Sequence, residues 1–212
     1  MTTVLIDYDS GNLHSAEKAF QRMALEVNAG AVIVSSKPED VAAAERIVLP
    51  GDGAFPACKR ALDGAGGLCE ALIEAVEMKG RPFLGICVGM QLMARQGHEY
   101  ETVKGLGWID GEVVPIAPQD PSLKVPHMGW NDLVLTAAHP VLDGIETGAH
   151  AYFVHSFHMQ VASAGQLLAT AEYGAPITAI VSEGTKVGMQ FHPEKSQASG
   201  LRMIANFLRW RP

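Results

Sequence analysis

Short runs of consecutive apolar, mostly β-branched residues alternate with stretches of helical spacing through the first half of the chain. Such uninterrupted runs are typical of strands that are buried on both faces of a sheet. They predict strands at residues 4–7, 31–35, 46–49 and 83–86. Helical periodicity predicts helices at 13–25, 38–44, 56–78 (in two pieces broken around 64–67) and 88–95. This alternation predicts an α/β fold, an open and largely parallel sheet with helices on both faces.

After Gly105 the pattern changes, and strand-like segments follow one another with Pro and Gly turns between them. These segments are residues 111–116, 129–135, 151–161, 167–173, 178–182 and 186–191. Consecutive strands without intervening helices predict an antiparallel extension of the sheet. A last helix is predicted at 199–210. The sequence has no internal repeat and no low-complexity linker, so one domain spanning residues 1–212 is expected.

Composition excludes several classes of protein. The chain has 212 residues, 48% hydrophobic and 18% charged, which is typical of a folded globular protein. The net charge of −7 argues against a nucleic-acid groove, which needs clustered Lys and Arg. No apolar run approaches the roughly 20 residues that span a bilayer, and the amino terminus lacks the features of a secretory signal. A cytoplasmic protein without membrane or nucleic-acid partners is therefore expected.

The three cysteines, Cys58, Cys69 and Cys87, include no C-x-x-C pair. Neither a disulfide framework nor a zinc site is indicated, and such cysteine usage fits a reducing compartment. Cys58 and Cys69 lie in Ala-rich helical surroundings and are predicted to be packing residues. His127, His155 and His158 have no metal-ligand spacing with other residues, so we expect solvated or hydrogen-bonded core histidines there.

Cys87 has a different setting, the segment Gly85-Ile86-Cys87-Val88-Gly89, which follows directly on an apolar run. The form G-x-C-x-G between a strand and a helix predicts a nucleophile elbow, in which the glycines let helix and strand approach closely. A helix start also favours a thiolate. In isolation a cysteine in an apolar run is more often a small buried hydrophobe.

The segment His192-Pro193-Glu194 supplies a candidate base and a group to orient it. Pro193 biases His192 toward an extended backbone, where residues two apart point to the same side. Alone, this segment would be interpreted as a strand end with a solvated carboxylate. Together with the elbow, it predicts a catalytic Cys87, His192 and Glu194 relay.

The loop Pro50-Gly51-Asp52-Gly53 follows the third predicted strand, and ligands of parallel sheets bind beyond the carboxyl ends of strands. Backbone N–H groups of Gly51, Asp52 and Gly53, with that of Val88, would suit an oxyanion hole. An ordinary Pro-Gly turn is the alternative for this loop. The Asp52 carboxylate would oppose an oxyanion unless it pointed away, so its side chain has no predicted role. Thiolate, imidazole and oxyanion hole together predict acyl transfer through a thioester, without metal or cofactor.

Gly85-x-Cys87-x-Gly89-x-Gln91, Pro50-Gly51-x-Gly53 and His192-Pro193-Glu194 resemble the motifs of the triad-type (class I) glutamine amidotransferases. Three further segments, residues 7–13, 126–131 and 152–156, resemble the glutaminase subunits of imidazole glycerol phosphate synthases. The resemblance runs nearly from end to end, and Pro-His-Met-Gly-Trp-Asn at 126–131 is its most specific part.

This resemblance implies a fold, an activity and a partner. It implies that Cys87, His192 and Glu194 form the triad that hydrolyses glutamine in histidine biosynthesis. A (β/α)8-barrel cyclase subunit would receive the ammonia and form imidazole glycerol phosphate and an aminoimidazole carboxamide ribonucleotide. The glutamine-binding residues that it implies are Gly53, Gln91, Glu99, and the backbone at Ser156 and Phe157. The partner-interface residues that it implies are Asn12, Met128, Trp130 and Lys195.

Other functions fit parts of the pattern. A stand-alone cysteine peptidase or thiol hydrolase on a related fold would use the same nucleophile. A binding subunit with a vestigial triad is a third possibility, which the intact Cys87, His192 and Glu194 argue against. The ammonia consumer could also be an anthranilate, pyridoxal phosphate or guanylate synthase, although residues 126–131 point away from these.

Overall fold

The computed structural model describes residues 1–9 and 13–212, and two β-sheets organise them. The strands are β1 (Thr2–Ile6), β2 (Ala31–Ser35), β3 (Arg46–Gly51), β4 (Phe83–Cys87), β5 (Ala94–Gly97), β6 (Val103–Lys104), β7 (Ile109–Pro115), β8 (His127–Leu135), β9 (His150–His155), β10 (Phe157–Val161), β11 (Leu167–Glu172), β12 (Pro176–Glu183) and β13 (Lys186–Met189). The helices are α1 (Leu13–Glu26), α2 (Pro38–Ala43), α3 (Phe55–Gly64), α4 (Leu68–Ile73), α5 (Val88–Gln91) and α6 (Gln197–Arg209). A π-helical turn, Glu74–Met78, continues α4.

The large sheet has nine strands in the order β2-β1-β3-β4-β13-β12-β11-β8-β9. The first five run parallel to their neighbours, and from β13 onward each neighbouring pair is antiparallel. This arrangement confirms the predicted α/β class with a largely parallel sheet and an antiparallel extension. The central strands β1, β3 and β4 are almost completely buried, which explains their uninterrupted apolar runs.

The order of the strands decides which loops meet. β3 and β4 are neighbours, and β13 lies on the other side of β4, so the carboxyl ends of these three strands are adjacent. The Pro50–Gly53 loop, Cys87 and His192 lie at or just beyond these three ends. They are therefore assembled at one edge of the sheet from parts of the chain that are far apart in sequence.

The helix predicted at 88–95 was wrong beyond Gln91. α5 is a single turn, and the chain continues into β5 of a second sheet, with the order β10-β7-β5-β6. The Met93 and Ala94 carbonyls accept hydrogen bonds from the Trp108 and Gly107 N–H groups instead of from the next helical turn. Tertiary pairing with a distant segment has outweighed a local helical pattern.

The strand predicted at 151–161 is also two strands in the structure. β9 belongs to the large sheet and β10 to the small one, with the break at Ser156. The break carries the chain from one sheet to the other beside the edge where Cys87 lies. No helix within residues 1–9 and 13–212 is long and apolar enough to cross a membrane.

Candidate active site

Cys87 has the backbone of a strained elbow between β4 and α5. Its φ of 54° and ψ of −114° are unusual for a residue with a Cβ, and such strain recurs at functional sites. The glycines on either side make this turn possible. A Cβ at Gly85 would lie 2.6 Å from the Gly89 oxygen, and one at Gly89 would lie 1.8 Å from the Leu49 oxygen. Backbone contacts this close require glycine at both positions.

His192 and Glu194 form a buried pair. Nδ1 of His192 lies 2.8 Å from Oε1 of Glu194, and their side chains are only 6% and 2% exposed. His192 is extended, as Pro193 predicted. Glu194, however, lies in the 3-10 turn Pro193–Lys195. This turn, and not an extended backbone continuing through Glu194, brings the carboxylate to the His192 ring. The carboxylate fixes the proton on Nδ1, which leaves Nε2 for the sulfur.

Cys87 and His192 are coupled electrostatically. Burial lowers the pKa of His192, but hydrogen bonding and charge interactions with Cys87 and Glu194 outweigh it and raise this pKa to about 10. Nε2 is buried and makes no well-formed hydrogen bond among the described residues. At neutral pH the ring is therefore an imidazolium next to the sulfur. A positive charge beside the sulfur suits a cysteine that acts as a nucleophile.

A buried amide, Gln190, was missed by the sequence reasoning. Its Nε2 is 3.9 Å from the Cys87 sulfur, and its Oε1 accepts a hydrogen bond of 3.1 Å from Gln91 Nε2. Gln91 Nε2 also donates to the Phe157 carbonyl at 3.0 Å. No local pattern indicated this contact, because Gln190 lies beyond the end of β13 and is 103 positions from Cys87 in the chain.

A cavity of about 260 Å³ opens beside Cys87, and its size suits a small metabolite. Most of the residues predicted for substrate binding or the oxyanion hole line it. These are Asp52, Gly53, Val88, Gln91, Glu99, Ser156 and Phe157. The structure adds Pro126, Val154 and His155 to the lining. Gly51 is outside it but is paired with Cys87 in the β3–β4 register.

The loop between β3 and α3 is held close to the elbow. A Cβ at Gly51 would lie 2.7 Å from the Gly89 nitrogen, and Gly53 has a φ of +107°, a conformation that favours glycine. The Asp52 side chain is exposed. Glu99 Oε2 accepts a hydrogen bond of 2.7 Å from the Phe55 N–H at the start of α3. Glu99 thus anchors the far end of this loop as well as lining the cavity.

His127 and His155 are hydrogen-bonded core residues, as expected. His127 Nδ1 lies 2.9 Å from His155 Nε2, and His155 Nδ1 lies 2.8 Å from the Phe157 carbonyl. Burial lowers the pKa of His127 to about 4 and that of His155 to about 3, so both rings are neutral at pH 7. With Nδ1–H donating from each ring, the pair supports the Phe157 carbonyl beside the cavity.

The predicted interface residues have different surroundings. Met128 is 61% exposed and Trp130 is 48% exposed, on the same face of β8, and Lys195 is half-buried. The Trp130 ring packs edge-on against Tyr152 at 5.7 Å, and the Tyr152 carbonyl accepts the His192 N–H at 3.0 Å. Asn12 lies outside the described residues. Within the described ranges, no three His, Cys, Asp or Glu side chains cluster as a metal site would require.

Comparisons with known proteins agree with this geometry. The family model for glutamine amidotransferase class-I matches residues 4–210. The chain is 70% identical to "Imidazole glycerol phosphate synthase subunit HisH" of Cereibacter sphaeroides and 65% identical to the protein of the same name in Ruegeria pomeroyi. Both matches cover 100% of each chain. A crystal structure described as a glutamine amidotransferase has the same fold, with a TM-score of 0.73, 19% identity and 97% of each chain covered.

Proposed function

The chain belongs to the glutamine amidotransferase class-I family, and from this premise we propose that it is the glutaminase subunit of an imidazole glycerol phosphate synthase. It hydrolyses glutamine to glutamate and ammonia. A (β/α)8-barrel cyclase subunit takes up the ammonia and forms imidazole glycerol phosphate and an aminoimidazole carboxamide ribonucleotide in histidine biosynthesis. Two relatives with that subunit name, identical to this chain at 70% and 65% of positions, support the proposal.

One observation carries the proposed chemistry. The Cys87 sulfur lies at a cavity of about 260 Å³ and interacts electrostatically with His192 of the buried His192–Glu194 pair. A nucleophile, a proton carrier and an orienting carboxylate in this order are the parts that acyl transfer needs. A cysteine that only packs in the core would not need the His192–Glu194 pair next to its sulfur.

In the first half of the reaction, the Cys87 thiolate attacks the carboxamide carbon of glutamine. A C–S bond forms, and the π electrons of the carbonyl move to its oxygen, which the N–H groups of the Gly51–Gly53 loop and Val88 stabilise. The oxyanion then collapses and the C–N bond breaks. His192 gives its Nε2 proton to the departing nitrogen, so ammonia leaves and a thioester remains.

In the second half, water attacks the thioester while the now neutral His192 accepts a proton from it. Collapse of this second oxyanion breaks the C–S bond. Glutamate leaves, and the thiolate and imidazolium are restored. Glu194 stays ionised throughout, where it holds the His192 tautomer and stabilises each imidazolium.

The cavity lining also offers groups for the amino-acid end of glutamine. Glu99 uses one carboxylate oxygen for the Phe55 N–H, and its second oxygen suits the α-ammonium group of the substrate. Gln91 is held by Gln190 and Phe157, which fixes its amide next to the cavity. The backbone at Ser156 and Phe157 completes the site at the junction of the two sheets.

The exposed face of β8 is the surface on which the cyclase would dock. Met128 and Trp130 offer apolar area there, and Lys195 lies next to the triad residue Glu194, where it suits an ion pair across the interface. This surface is connected to the base, since Trp130 packs on Tyr152 and the Tyr152 carbonyl holds the His192 N–H. Partner binding therefore has a short route to the catalytic histidine.

Reconstitution with the cyclase tests the proposal. Cys87→Ser should abolish glutamine-dependent synthesis but leave synthesis from added ammonium salts intact, because the cyclase carries out the ring closure. Cys69→Ser, a second buried cysteine on α4, is the matched control and should behave like the unaltered protein. Glutamine turnover at the native rate by Cys87→Ser would refute the assignment. Hydrolysis of casein by the subunit alone would favour the peptidase alternative.

A further inference from the structure

The Tyr8 hydroxyl reaches the loop that follows β3 from the neighbouring strand. The paired residues of β1 and β3 end at Leu5 and Val48. Beyond this point β1 stays with β2, since the Asp7 N–H donates to the Ser35 carbonyl at 2.9 Å. The buried Tyr8 hydroxyl then donates to the Pro50 carbonyl at 2.8 Å, two residues past the last paired residue of β3. A side chain thus extends the hydrogen bonding between the two strands.

This hydrogen bond fixes the peptide at the start of the Pro50–Gly53 loop. The Pro50 carbonyl and the Gly51 N–H belong to one planar trans peptide and point in opposite directions, so the Tyr8 hydroxyl on one side and the pairing of Gly51 with β4 on the other hold its plane. The contact also depends on glycine. A Cβ at Gly51 would lie 2.9 Å from the Tyr8 hydroxyl oxygen, so a larger residue would push the hydroxyl away.

A second side chain holds the next part of the loop. The Cys58 thiol, in the first turn of α3, donates to the Asp52 carbonyl at 3.5 Å. By the same planarity, this contact orients the Gly53 N–H. Cys58 was predicted to be a packing residue, and the structure gives its thiol a hydrogen bond to this loop as well. The two held peptides flank the Gly51–Asp52 peptide on either side.

We propose that Tyr8 and Cys58 are positioning residues that orient the oxyanion loop before glutamine binds. The inference rests on the proposed glutaminase function. Donors that are already oriented stabilise the developing oxyanion without reorganisation in the transition state. Neither side chain is among the residues that line the cavity, so their loss should affect the chemical step and leave glutamine binding unchanged.

Tyr8→Phe removes one oxygen and is the direct test. With the cyclase present, kcat for glutamate release should fall by about tenfold or more, up to the roughly 10²–10³-fold loss that follows removal of a whole oxyanion donor. KM for glutamine and the rate of Cys87 alkylation by iodoacetamide should not change, because neither needs an oxyanion. Cys58→Ala should lower kcat in the same way, and Cys58→Ser, which restores a donor, should recover part of the loss.

Thr136→Val is the matched control. It too deletes a hydroxyl that donates to a backbone carbonyl, that of Leu167 at 2.8 Å. Thr136 lies just after β8 and neither residue lines the cavity. A native kcat for glutamate release in Tyr8→Phe would overturn the inference. An equal loss of turnover and of Cys87 alkylation would also overturn it, because it would mean that the substitution distorts the whole active site. If Tyr8→Phe does not fold, Cys58→Ala decides by the same criteria. Absence of glutamate release by the unaltered complex would overturn the proposed function and this inference together.

Discussion

Gly89→Ala is the sharpest perturbation of the nucleophile elbow, because it adds one methyl group at the closest backbone contact there. An ideal Cβ on Gly89 would lie 1.8 Å from the Leu49 oxygen and 2.9 Å from the Leu49 carbonyl carbon. Both are backbone atoms of a fully buried strand, so no side chain can rotate away to make room. The elbow and the end of β3 must separate.

The size of the separation follows from the structure. Real Cβ atoms essentially never approach another heavy atom more closely than 3.0 Å, so the gap has to widen by about 1.2 Å. Leu49 directly precedes the Pro50–Gly53 loop, and the movement would therefore shift the oxyanion donors relative to Cys87. A misplacement of about 1 Å can cost 10²-fold in rate. Overpacking of this kind also destabilises a core by typically 1–3 kcal/mol.

We therefore expect Gly89→Ala to lower glutamine turnover in the complex by about 10²-fold, together with a lower Tm. Glutamate release with the cyclase present measures the first effect, and thermal unfolding measures the second. Gly64→Ala is the control, since a Cβ there would meet nothing within 4 Å at the end of α3, and it should leave turnover unchanged without lowering the Tm. Native turnover and native Tm in Gly89→Ala would show that the contact with Leu49 does not shape the site.

Three further predictions concern the triad and its control. Glu194→Gln keeps the size of the side chain but removes its charge, and should lower glutamine turnover by up to ~10⁴-fold; an unchanged rate would mean that Glu194 does not orient His192. The folded-state pKa of His192, about 10, lies above its ordinary value of 6.5, so this group stabilises the fold fully below pH 6.5 and loses that contribution as the pH rises toward 10. The Tm difference between the native protein and His192→Asn should accordingly narrow from pH 7 to pH 10, and a constant difference would contradict the ion pair between His192 and Glu194. The isolated subunit should release glutamate slowly, and the cyclase with its nucleotide substrate bound should accelerate glutamate release by at least roughly 10²–10³-fold. Equal rates would exclude control by the partner. Lys195→Glu should weaken the acceleration if Lys195 forms an ion pair with the cyclase.

Local sequence patterns predicted much of the fold and the chemistry of the candidate site. Apolar runs located β1 to β4 to within two residues at either end. β1, β3 and β4 are buried on both faces, and such strands consist mostly of apolar side chains. The glycines around Cys87 predicted an elbow, since only residues without a Cβ permit such close backbone contacts. Pro193 predicted the extended backbone of His192.

The boundaries that were wrong lie where distant segments compete for the same backbone groups. Residues 92–95 have helical spacing, but their carbonyls bond to the N–H groups of residues 105–109, and a strand replaces the helix. The sequence around Ser156 reads as one continuous strand, yet β9 and β10 belong to different sheets. A local pattern records the burial of each residue and not the identity of its hydrogen-bond partner.

The sequence by itself determined the nucleophile elbow, the His192 segment and the parallel half of the sheet, because each depends on residues that are near one another in the chain. Only the tertiary structure decided that Gln190 reaches the Cys87 sulfur, that Glu99 anchors the loop at Phe55, and that the Tyr8 hydroxyl holds the Pro50 carbonyl. The residues of these pairs are 103, 44 and 42 positions apart. Strand order and the crossing from one sheet to the other bring them together, and both follow from the packing of the whole chain, to which every buried side chain contributes.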